Sequence, residues 1–161
     1  MIKIGERIPA TKLALMTATG VETKTTGELF ESKRVALFAV PGAFTPTCHA
    51  THLPSIVQAA RKLSEKGLDA IYCLSVNDAF VMGAWDQATG ASKAGVTLLA
   101  DGAAELTKAM GLELDLTEYG MGLRSQRYAM IIDHGKVTHL EVESNPGVAT
   151  CSRGDHLLSL L

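Results

Sequence analysis

Three stretches of the chain are largely apolar and show no regular polar alternation. They are Arg34–Val40, Leu68–Val76 and Val96–Ala100. A strand with one face in water alternates polar and apolar residues, whereas a strand covered on both faces is apolar throughout. The pattern therefore predicts three buried strands at the centre of a parallel or mixed sheet.

A helix is predicted between the first two of these strands. Thr45 is expected as its N-cap and Pro46 as its first helical residue, because a proline there loses no intrahelical hydrogen bond. Gly67 ends the helix in a left-handed conformation. Pro54 lies inside it and predicts a kink. Apolar residues at helical spacing predict its buried face: Leu53, Ile56, Val57, Ala60 and Leu63.

Two further helices are predicted around the third strand. The first follows Asn77 or Asp78, either of which can act as its N-cap. Its predicted buried face consists of Val81, Ala84, Trp85 and Ala88. The second is a short helix over Asp101–Gly111, ended by its glycine.

The C-terminal third predicts a hairpin and a last helix. Arg127–Ile132 and Lys136–Val142 flank the turn sequence Asp133-His134-Gly135, which is typical of a tight β-hairpin. His156–Leu161 predicts a terminal helix with Asp155 as its cap. Strands that alternate with helices and end in a hairpin indicate an α/β protein with a mixed central sheet flanked by helices.

Composition narrows the classes of function. The chain has 161 residues, with 15 Lys and Arg against 17 Asp and Glu. This length suits one domain over residues 1–161. A net charge of -2 offers no basic surface for nucleic acid or an anionic membrane. No apolar run approaches the roughly 20 residues of a membrane span. The first residues lack the apolar core of a secretory signal, so we expect a cytoplasmic protein or a processed organellar one.

The three cysteines, Cys48, Cys73 and Cys151, are too few and too odd in number for a disulfide framework. In the cytosol thiols stay reduced, so each is expected to be catalytic, metal-binding or inert. There is no Cys-x-x-Cys pair, which excludes an oxidoreductase of the thioredoxin or glutaredoxin type. The three cysteines can therefore have different roles.

Cys48 falls in the first turn of the predicted helix. Backbone N–H groups there lack intrahelical acceptors, and the helix dipole is positive. Both effects favour the thiolate, which is the nucleophilic form of cysteine. Position alone leaves an inert core thiol as an equal alternative, since most free cysteines behave as small hydrophobic residues.

The segment Pro41–Cys48 reads PGAFTPTC and resembles the peroxidatic loop of the peroxiredoxins, Pro-x-x-x-Thr-x-x-Cys. Three later segments are similar to the type II group of that family: Thr51–Pro54, Cys73–Phe80, and Arg127 followed by Tyr128-Ala129-Met130. Together they extend the resemblance over nearly the whole chain. It implies a thioredoxin-like fold and the reduction of hydrogen peroxide and organic hydroperoxides without metal, haem or other cofactor.

The resemblance implies a role for each motif residue. Cys48 is the peroxidatic cysteine, whose thiolate attacks the peroxide and becomes a sulfenic acid. Thr45 hydrogen-bonds the sulfur and the peroxide, and Pro41 shields the sulfenic acid from water. Arg127 stabilises the thiolate and the charge on the departing oxygen. Arg124 would face the opposite side of a strand from Arg127, so it is assigned to solvent or to a secondary role.

A second thiol must resolve the sulfenic acid. Cys151 is favoured because it lies in a turn-rich segment and because mammalian members of the type II group resolve from the matching place. Cys73 lies in a buried strand and is expected to be core filler, although plant members are said to resolve from that position. Direct reduction by glutathione with glutaredoxin is the third alternative. The expected reductant is accordingly thioredoxin or the glutathione/glutaredoxin pair.

Histidines beside Cys48 raise the question of a metal site. Cys48 and His52 are four residues apart on one helix face, with His49 between them. Further ligands are not evident, so no metal is expected. His52 is interpreted instead as making a supporting hydrogen bond near the active-site helix.

Three aromatic residues are expected to pack in the core or at an interface. Trp85 is predicted to pack in the core or at an interface. Phe44 and Phe80 are candidates for the interface of a homodimer, with a monomer left open. A redox sensor that relays oxidation to a partner, or a silent binding module with this fold, remain the alternatives to a peroxidase.

Overall fold

The computed structural model describes residues 1–161 and contains two sheets and five α-helices. The strands are β1 Lys12–Thr17, β2 Gly20–Thr25, β3 Arg34–Val40, β4 Ala70–Ser75, β5 Val96–Ala100, β6 Glu113–Leu116, β7 Gly122–Ser125, β8 Tyr128–Asp133 and β9 Lys136–Val142. The α-helices are α1 Thr26–Phe30, α2 Leu53–Glu65, α3 Ala79–Thr89, α4 Glu105–Ala109 and α5 Gly154–Ser159.

The main sheet has seven strands in the order β2-β1-β5-β4-β3-β8-β9. The pairs β3–β4 and β4–β5 are parallel, and every other pair in this sheet is antiparallel. Strands β6 and β7 form a separate two-stranded ribbon. The predicted α/β class with a mixed central sheet is confirmed.

The central strand β3 explains why its sequence does not alternate. Ala36, Phe38 and Val40 belong to the apolar layer that also contains side chains of α2, α3 and α5. Val35, Leu37 and Ala39 belong to the layer on the other face, with side chains of α1 and α4. Because both faces are covered, every position from 35 to 40 is buried. This strand and β5 begin and end at the predicted residues.

The N-terminal elements were not predicted from the sequence. Strand β2 is mostly exposed at the edge of the sheet, so it lacks the apolar pattern by which buried strands are recognised. Helix α1 begins with a capping box in which Thr25 and Glu28 each bond the other's backbone N–H. That local signal was present in the sequence and identifies the start of the helix.

Three helix predictions need correction. The buried face of α3 consists of Ala79, Met82 and Trp85, whereas Ala84 and Ala88 are exposed. The predicted face was therefore rotated about the helix axis. Its cap is Asp78, whose carboxylate accepts from the N–H of Val81.

The last helix begins at Gly154, and its N-cap is Arg153. The expectation that Asp155 caps it is wrong, because Asp155 lies inside the first turn and pairs with the Arg153 guanidinium.

Helix α4 begins at Glu105, so its predicted start at Asp101 is too early. The Asp101 carboxylate instead accepts from the N–H of Leu106 and of Thr107.

The predicted C-terminal hairpin is formed by β8 and β9. His134 and Gly135 occupy its turn with φ values of 48° and 82°. Two successive positive φ angles define the type I′ turn, whose twist matches that of the paired strands. β8 begins at Tyr128, so Arg127 lies just outside the ladder.

None of the helices is long and apolar enough to cross a bilayer.

Candidate active site

Cys48 lies just beyond the carboxyl end of β3, on the turn that leads into α2. The chain leaves β3 at Val40, passes through a loop, and becomes helical from Pro46. The carbonyl of Thr45 accepts from the N–H of His49 at 2.9 Å, so Thr45 stands at the start of the helix as predicted. Cys48 is fully buried in the first turn.

The turn from Cys48 to His52 is a π turn, in which the N–H of Leu53 bonds the carbonyl of Cys48. Pro54 follows directly as the second residue of α2. A proline has no N–H, so the carbonyl four residues before it cannot make the ordinary helical bond. The wider turn accommodates this loss. The kink predicted at Pro54 thus takes the form of one expanded turn that carries the cysteine.

The Thr45 hydroxyl donates to the carbonyl of Gly42 at 2.7 Å. A hydroxyl has one proton, so in this state Thr45 cannot also donate to the sulfur. The expected hydrogen bond from Thr45 to Cys48 is therefore not made. The Thr45 hydroxyl oxygen can still accept a hydrogen bond from a ligand.

Arg127 brings a guanidinium directly to the sulfur. Its Nη2 donates to Cys48 Sγ at 3.1 Å, its Nη1 to His52 Nδ1 at 2.9 Å, and its Nε to the carbonyl of Pro146 at 3.0 Å. The side chain is 2% exposed. None of the ion pairs in the structure involves it. A buried cation without a carboxylate partner favours electron-rich groups beside it, and the Cys48 sulfur is one of the three groups that its N–H groups contact.

His52 helps to hold the Arg127 guanidinium in place by accepting a hydrogen bond from it. Its Nε2 lies 2.7 Å from the carbonyl of Ser152, which can only accept, so Nε2 carries the proton. Nδ1 is then free to accept from Arg127. Burial, followed by the Arg127 charge, lowers the pKa of His52 from 6.5 to about 4. The neutral imidazole that this contact requires is the form present near neutrality.

The expectation for Arg124 is half wrong. Strand β7 ends at Ser125 and β8 begins at Tyr128, so strand alternation does not relate Arg124 to Arg127. Both guanidinium groups reach the active-site loop. Arg124 donates to the carbonyl of Met121 at 2.9 Å and to the carbonyl of Pro41 at 3.4 Å. Of the two predicted roles, the geometry favours the secondary role over a purely solvent-facing one.

A pocket of about 360 Å³ opens beside this cluster. Pro41, Thr45 and Arg127 form part of its wall, and Arg127 connects it to the sulfur. The lining also includes Leu114, Leu116, Tyr119 and Met121, from the β6–β7 ribbon and the turn between its strands. A small ligand in this pocket would therefore meet Arg127, Thr45 and apolar side chains.

The other two cysteines occupy different environments. Cys73 lies in the middle of β4, is fully buried, and pairs in register with Phe38 and Leu98. Burial, and then proximity to Cys48, raise the pKa of Cys73 far above its usual range. Cys151 is half-buried in the segment between β9 and α5. Burial, and then the Glu143 carboxylate, raise the pKa of Cys151 to about 11.

Glu143 is the residue near the site that the sequence did not reveal. It follows β9 directly and is only 6% exposed. Its carboxylate accepts from Thr150 and Ser152, the two neighbours of Cys151. No periodicity or motif indicates such a contact, because the partners lie seven to nine residues away in irregular chain.

The family model named Redoxin matches residues 3–157. The chain is 45% identical to peroxiredoxin-2E-2, chloroplastic, of Oryza sativa subsp. japonica, over 99% of this chain and 72% of that protein. The chain belongs to the peroxiredoxins.

Solved structures agree with this membership. Reduced Prx3 of Vibrio vulnificus in complex with hydrogen peroxide superimposes with a TM-score of 0.93, at 49% identity and over 99% of both chains. Peroxiredoxin 5 of Alvinella pompejana has a TM-score of 0.85, at 31% identity over 99% of this chain and 97% of that one. The thioredoxin-like fold and the type II resemblance are thus confirmed. Membership supports thiol peroxidase activity for this peroxiredoxin.

Proposed function

We propose that this peroxiredoxin reduces hydrogen peroxide and organic hydroperoxides with Cys48 as its nucleophile. The observation that carries the proposal is the hydrogen bond of 3.1 Å from Arg127 Nη2 to Cys48 Sγ. An always-charged guanidinium at this distance stabilises the thiolate before the reaction. It also lies where negative charge develops as the peroxide bond breaks. The Vibrio vulnificus relative, whose crystal structure is named as a complex with hydrogen peroxide, supports this substrate.

In the first step the Cys48 thiolate attacks the terminal oxygen of the hydroperoxide. A sulfur–oxygen bond forms, the oxygen–oxygen bond breaks, and the departing oxygen takes a proton to leave as water or an alcohol. Arg127 faces both the sulfur and the pocket, so it stabilises the departing oxygen. Thr45 retains acceptor capacity for the hydroxyl of the bound peroxide, and Pro41 in the pocket wall limits access of water to the sulfenic acid.

We propose Cys151 as the resolving cysteine. Its thiol attacks the sulfenic sulfur of Cys48, a disulfide forms, and water leaves. Cys151 is partly exposed and lies in irregular chain, whereas Cys73 is held within β4 by both neighbouring strands. A residue in a paired central strand cannot move without breaking the sheet. A thiol reductant then restores both thiols: either the dithiol of thioredoxin, or two molecules of glutathione with glutaredoxin.

Mass spectrometry of the full-length protein after one equivalent of hydrogen peroxide tests this assignment. We expect a Cys48–Cys151 disulfide, and its loss in both Cys48→Ser and Cys151→Ser. Cys73→Ser serves as the matched control and should leave the disulfide intact. A Cys48–Cys73 link, or only a glutathione adduct in the presence of glutathione, would replace the assignment. Peroxide consumption that persists in Cys48→Ser would overturn the peroxidase mechanism itself.

We further propose a homodimer whose contact includes Phe44 and Phe80. Their side chains are 49% and 71% exposed, large values for aromatic residues. Phe44 also has a positive φ of 63° and stacks on His49, next to the cysteine. Sedimentation of Phe44→Ala/Phe80→Ala should show monomer where the parent protein shows dimer. The matched control is Tyr119→Ala, which removes a comparably exposed aromatic ring from the β6–β7 turn.

A cytoplasmic location stays a prediction. The relatives include proteins named as chloroplastic and a peroxiredoxin of the cyanobacterium Synechocystis.

A further inference from the structure

The segment that carries Cys151 is held by one buried carboxylate. Glu143 accepts four hydrogen bonds, from the N–H and hydroxyl of Thr150 and from the N–H and hydroxyl of Ser152. These residues flank Cys151 on either side. We call these four contacts the Glu143 clamp. A carboxylate that receives charge-assisted bonds at both oxygens is a strong local anchor.

The Glu143 carboxylate is fully ionised at any ordinary pH. Burial alone would raise the pKa of Glu143, but the bonds from the Ser152 and Thr150 backbones, and then from their hydroxyls, outweigh it and hold the pKa at about 2. The same negative charge lies beside the Cys151 thiol and opposes its ionisation. A thiol attacks a sulfenic acid as its thiolate, so Cys151 in the clamped segment is a poor nucleophile.

The clamp is also connected to the reactive sulfur through consecutive hydrogen bonds. Glu143 fixes Ser152, the Ser152 carbonyl accepts from His52 Nε2, and His52 Nδ1 accepts from Arg127. Arg127 in turn donates to Cys48 Sγ. A second connection runs from Thr47, whose hydroxyl donates to the carbonyl of Gly147 at 2.7 Å. The segment that contains Cys151 is thus fastened to the Cys48 turn at several points.

We propose that Glu143 is the positioning residue of the resolving step: it holds Cys151 in its resting segment while Cys48 reacts with peroxide, and the clamp must open before Cys151 reaches Cys48. The inference rests on the proposed role of Cys151. Release of the Cys151 segment from Glu143 then largely sets the barrier to formation of the Cys48–Cys151 disulfide. Removing the carboxylate charge therefore accelerates the second step and leaves the first nearly unchanged, because Arg127 keeps its own bonds to Cys48, His52 and Pro146.

The first experiment follows Cys151 alone. In full-length reduced protein with Cys48→Ser and Cys73→Ser, the rate of alkylation by iodoacetamide reports release and ionisation of Cys151. We expect Glu143→Gln to raise this rate about tenfold, since the amide cannot accept at both of its atoms. Glu143→Asp, which keeps the charge, should restore a rate near that of the parent protein. An unchanged rate in Glu143→Gln overturns the clamp.

A matched control separates the clamp from bulk charge. Glu141→Gln removes a carboxylate two residues earlier in β9 whose charge also raises the pKa of Cys151, but less than Glu143 does. It should change the alkylation rate less than twofold. An equal acceleration in Glu141→Gln would assign the effect to charge alone and overturn the clamp. Thr150→Val with Ser152→Ala, which removes two of the four donors, should give an intermediate rate.

The second experiment measures both steps in protein with all three cysteines. Quenched flow with mass spectrometry follows loss of the Cys48 thiol and appearance of the Cys48–Cys151 disulfide. In Glu143→Gln the disulfide should form at least fivefold faster, with the first step changed less than twofold. Parallel slowing of both steps would indicate a merely structural residue. No disulfide in the parent protein would overturn the role of Cys151, whereas the alkylation result stands independently of it.

Discussion

Arg127 donates to Nδ1 of His52 at 2.9 Å and thereby fixes the tautomer of a fully buried histidine. The proton of the ring then resides on Nε2, which donates to the carbonyl of Ser152. Protonation of Nδ1 would place two cationic groups face to face and remove the acceptor. The active site therefore depends on His52 remaining neutral, and this has a measurable consequence for stability.

We predict that the free energy of unfolding falls by about 2 kcal/mol between pH 7 and pH 5 through His52 alone. The folded protein keeps His52 neutral down to a pKa of about 4, while the unfolded chain protonates near 6.5. The unfolded state therefore binds more protons in this window, and the stability contribution present above pH 6.5 is lost as the pH falls toward 4. Urea denaturation at several pH values measures the slope.

The control for this slope is His52→Gln, which cannot titrate. Its stability should be nearly flat between pH 7 and pH 5 once the common contributions are subtracted. Glu143 adds a second loss only at lower pH, because its pKa falls from 4.5 in the unfolded chain to about 2 in the folded protein. An identical slope in the parent protein and in His52→Gln would refute the assignment.

Arg127→Lys should slow the reaction of Cys48 with hydrogen peroxide by about 10²–10³-fold, the usual cost of losing one donor aimed at developing charge. A lysine carries its charge at one point, so it cannot donate to Cys48 Sγ, His52 Nδ1 and the Pro146 carbonyl in the fork that the guanidinium makes. Stopped-flow fluorescence can follow the reaction, because the single Trp85 donates to His49, the neighbour of Cys48.

The comparison variant is Arg61→Lys, which makes the same chemical change in an exposed ion pair on α2. It should alter the rate less than twofold. A rate within threefold of the parent protein in Arg127→Lys would show that the guanidinium geometry is not what accelerates the first step.

Gly154→Ala should destabilise the fold by about 2 kcal/mol or more, as overpacked sites do. A Cβ there would lie 2.5 Å from the backbone oxygen of Ser55 and 2.8 Å from the Cα of Ile56. These are backbone atoms of α2 and cannot swing aside, so α5 would have to separate from α2. Chemical denaturation measures the loss.

The glycine chosen for comparison is Gly27 in α1, where a Cβ would find its nearest atoms at 3.7 and 3.8 Å. Gly27→Ala should be neutral or stabilising by up to about 1 kcal/mol. If both substitutions changed the free energy of unfolding by the same small amount, the close contact of α5 with α2 would not contribute to stability.

Pro54→Ala should slow formation of the Cys48–Cys151 disulfide by about fivefold while leaving the first step intact. The alanine restores an N–H that can bond the carbonyl of Ala50, so the expanded turn becomes a regular and firmer helical turn. Gln58→Ala, an exposed position one turn further along α2, tests for a general effect of helix propensity. Faster disulfide formation in Pro54→Ala would contradict this account of the turn.

The sequence predicted best where burial alone decides the structure. Strands β3 and β5 were placed to the residue because covered strands must be apolar at nearly every position. Edge strand β2 gave no such signal, since its side chains mostly face water. The cap of α5 was misplaced because Asp155 pairs with Arg153 instead of with the helix N-terminus.

The site shows the same division between local and long-range information. The loop from Pro41 to Cys48 is continuous in sequence, so its motif could be recognised there. The error at Arg124 came from extending strand alternation across a break between β7 and β8. The role of Glu143 rests on hydrogen bonds to residues in irregular chain, and no pattern of residue spacing in the sequence indicates those bonds.

The π turn of Cys48–His52 also determines how far the cysteine can travel. A helical residue advances the chain by about 1.5 Å and an extended one by about 3.3 Å. Straightening these five residues therefore releases on the order of 9 Å of extra chain length. This slack lies entirely ahead of α2, whose apolar face is anchored in the core. Cys48 can thus move toward a partner thiol while the remainder of the helix stays in place.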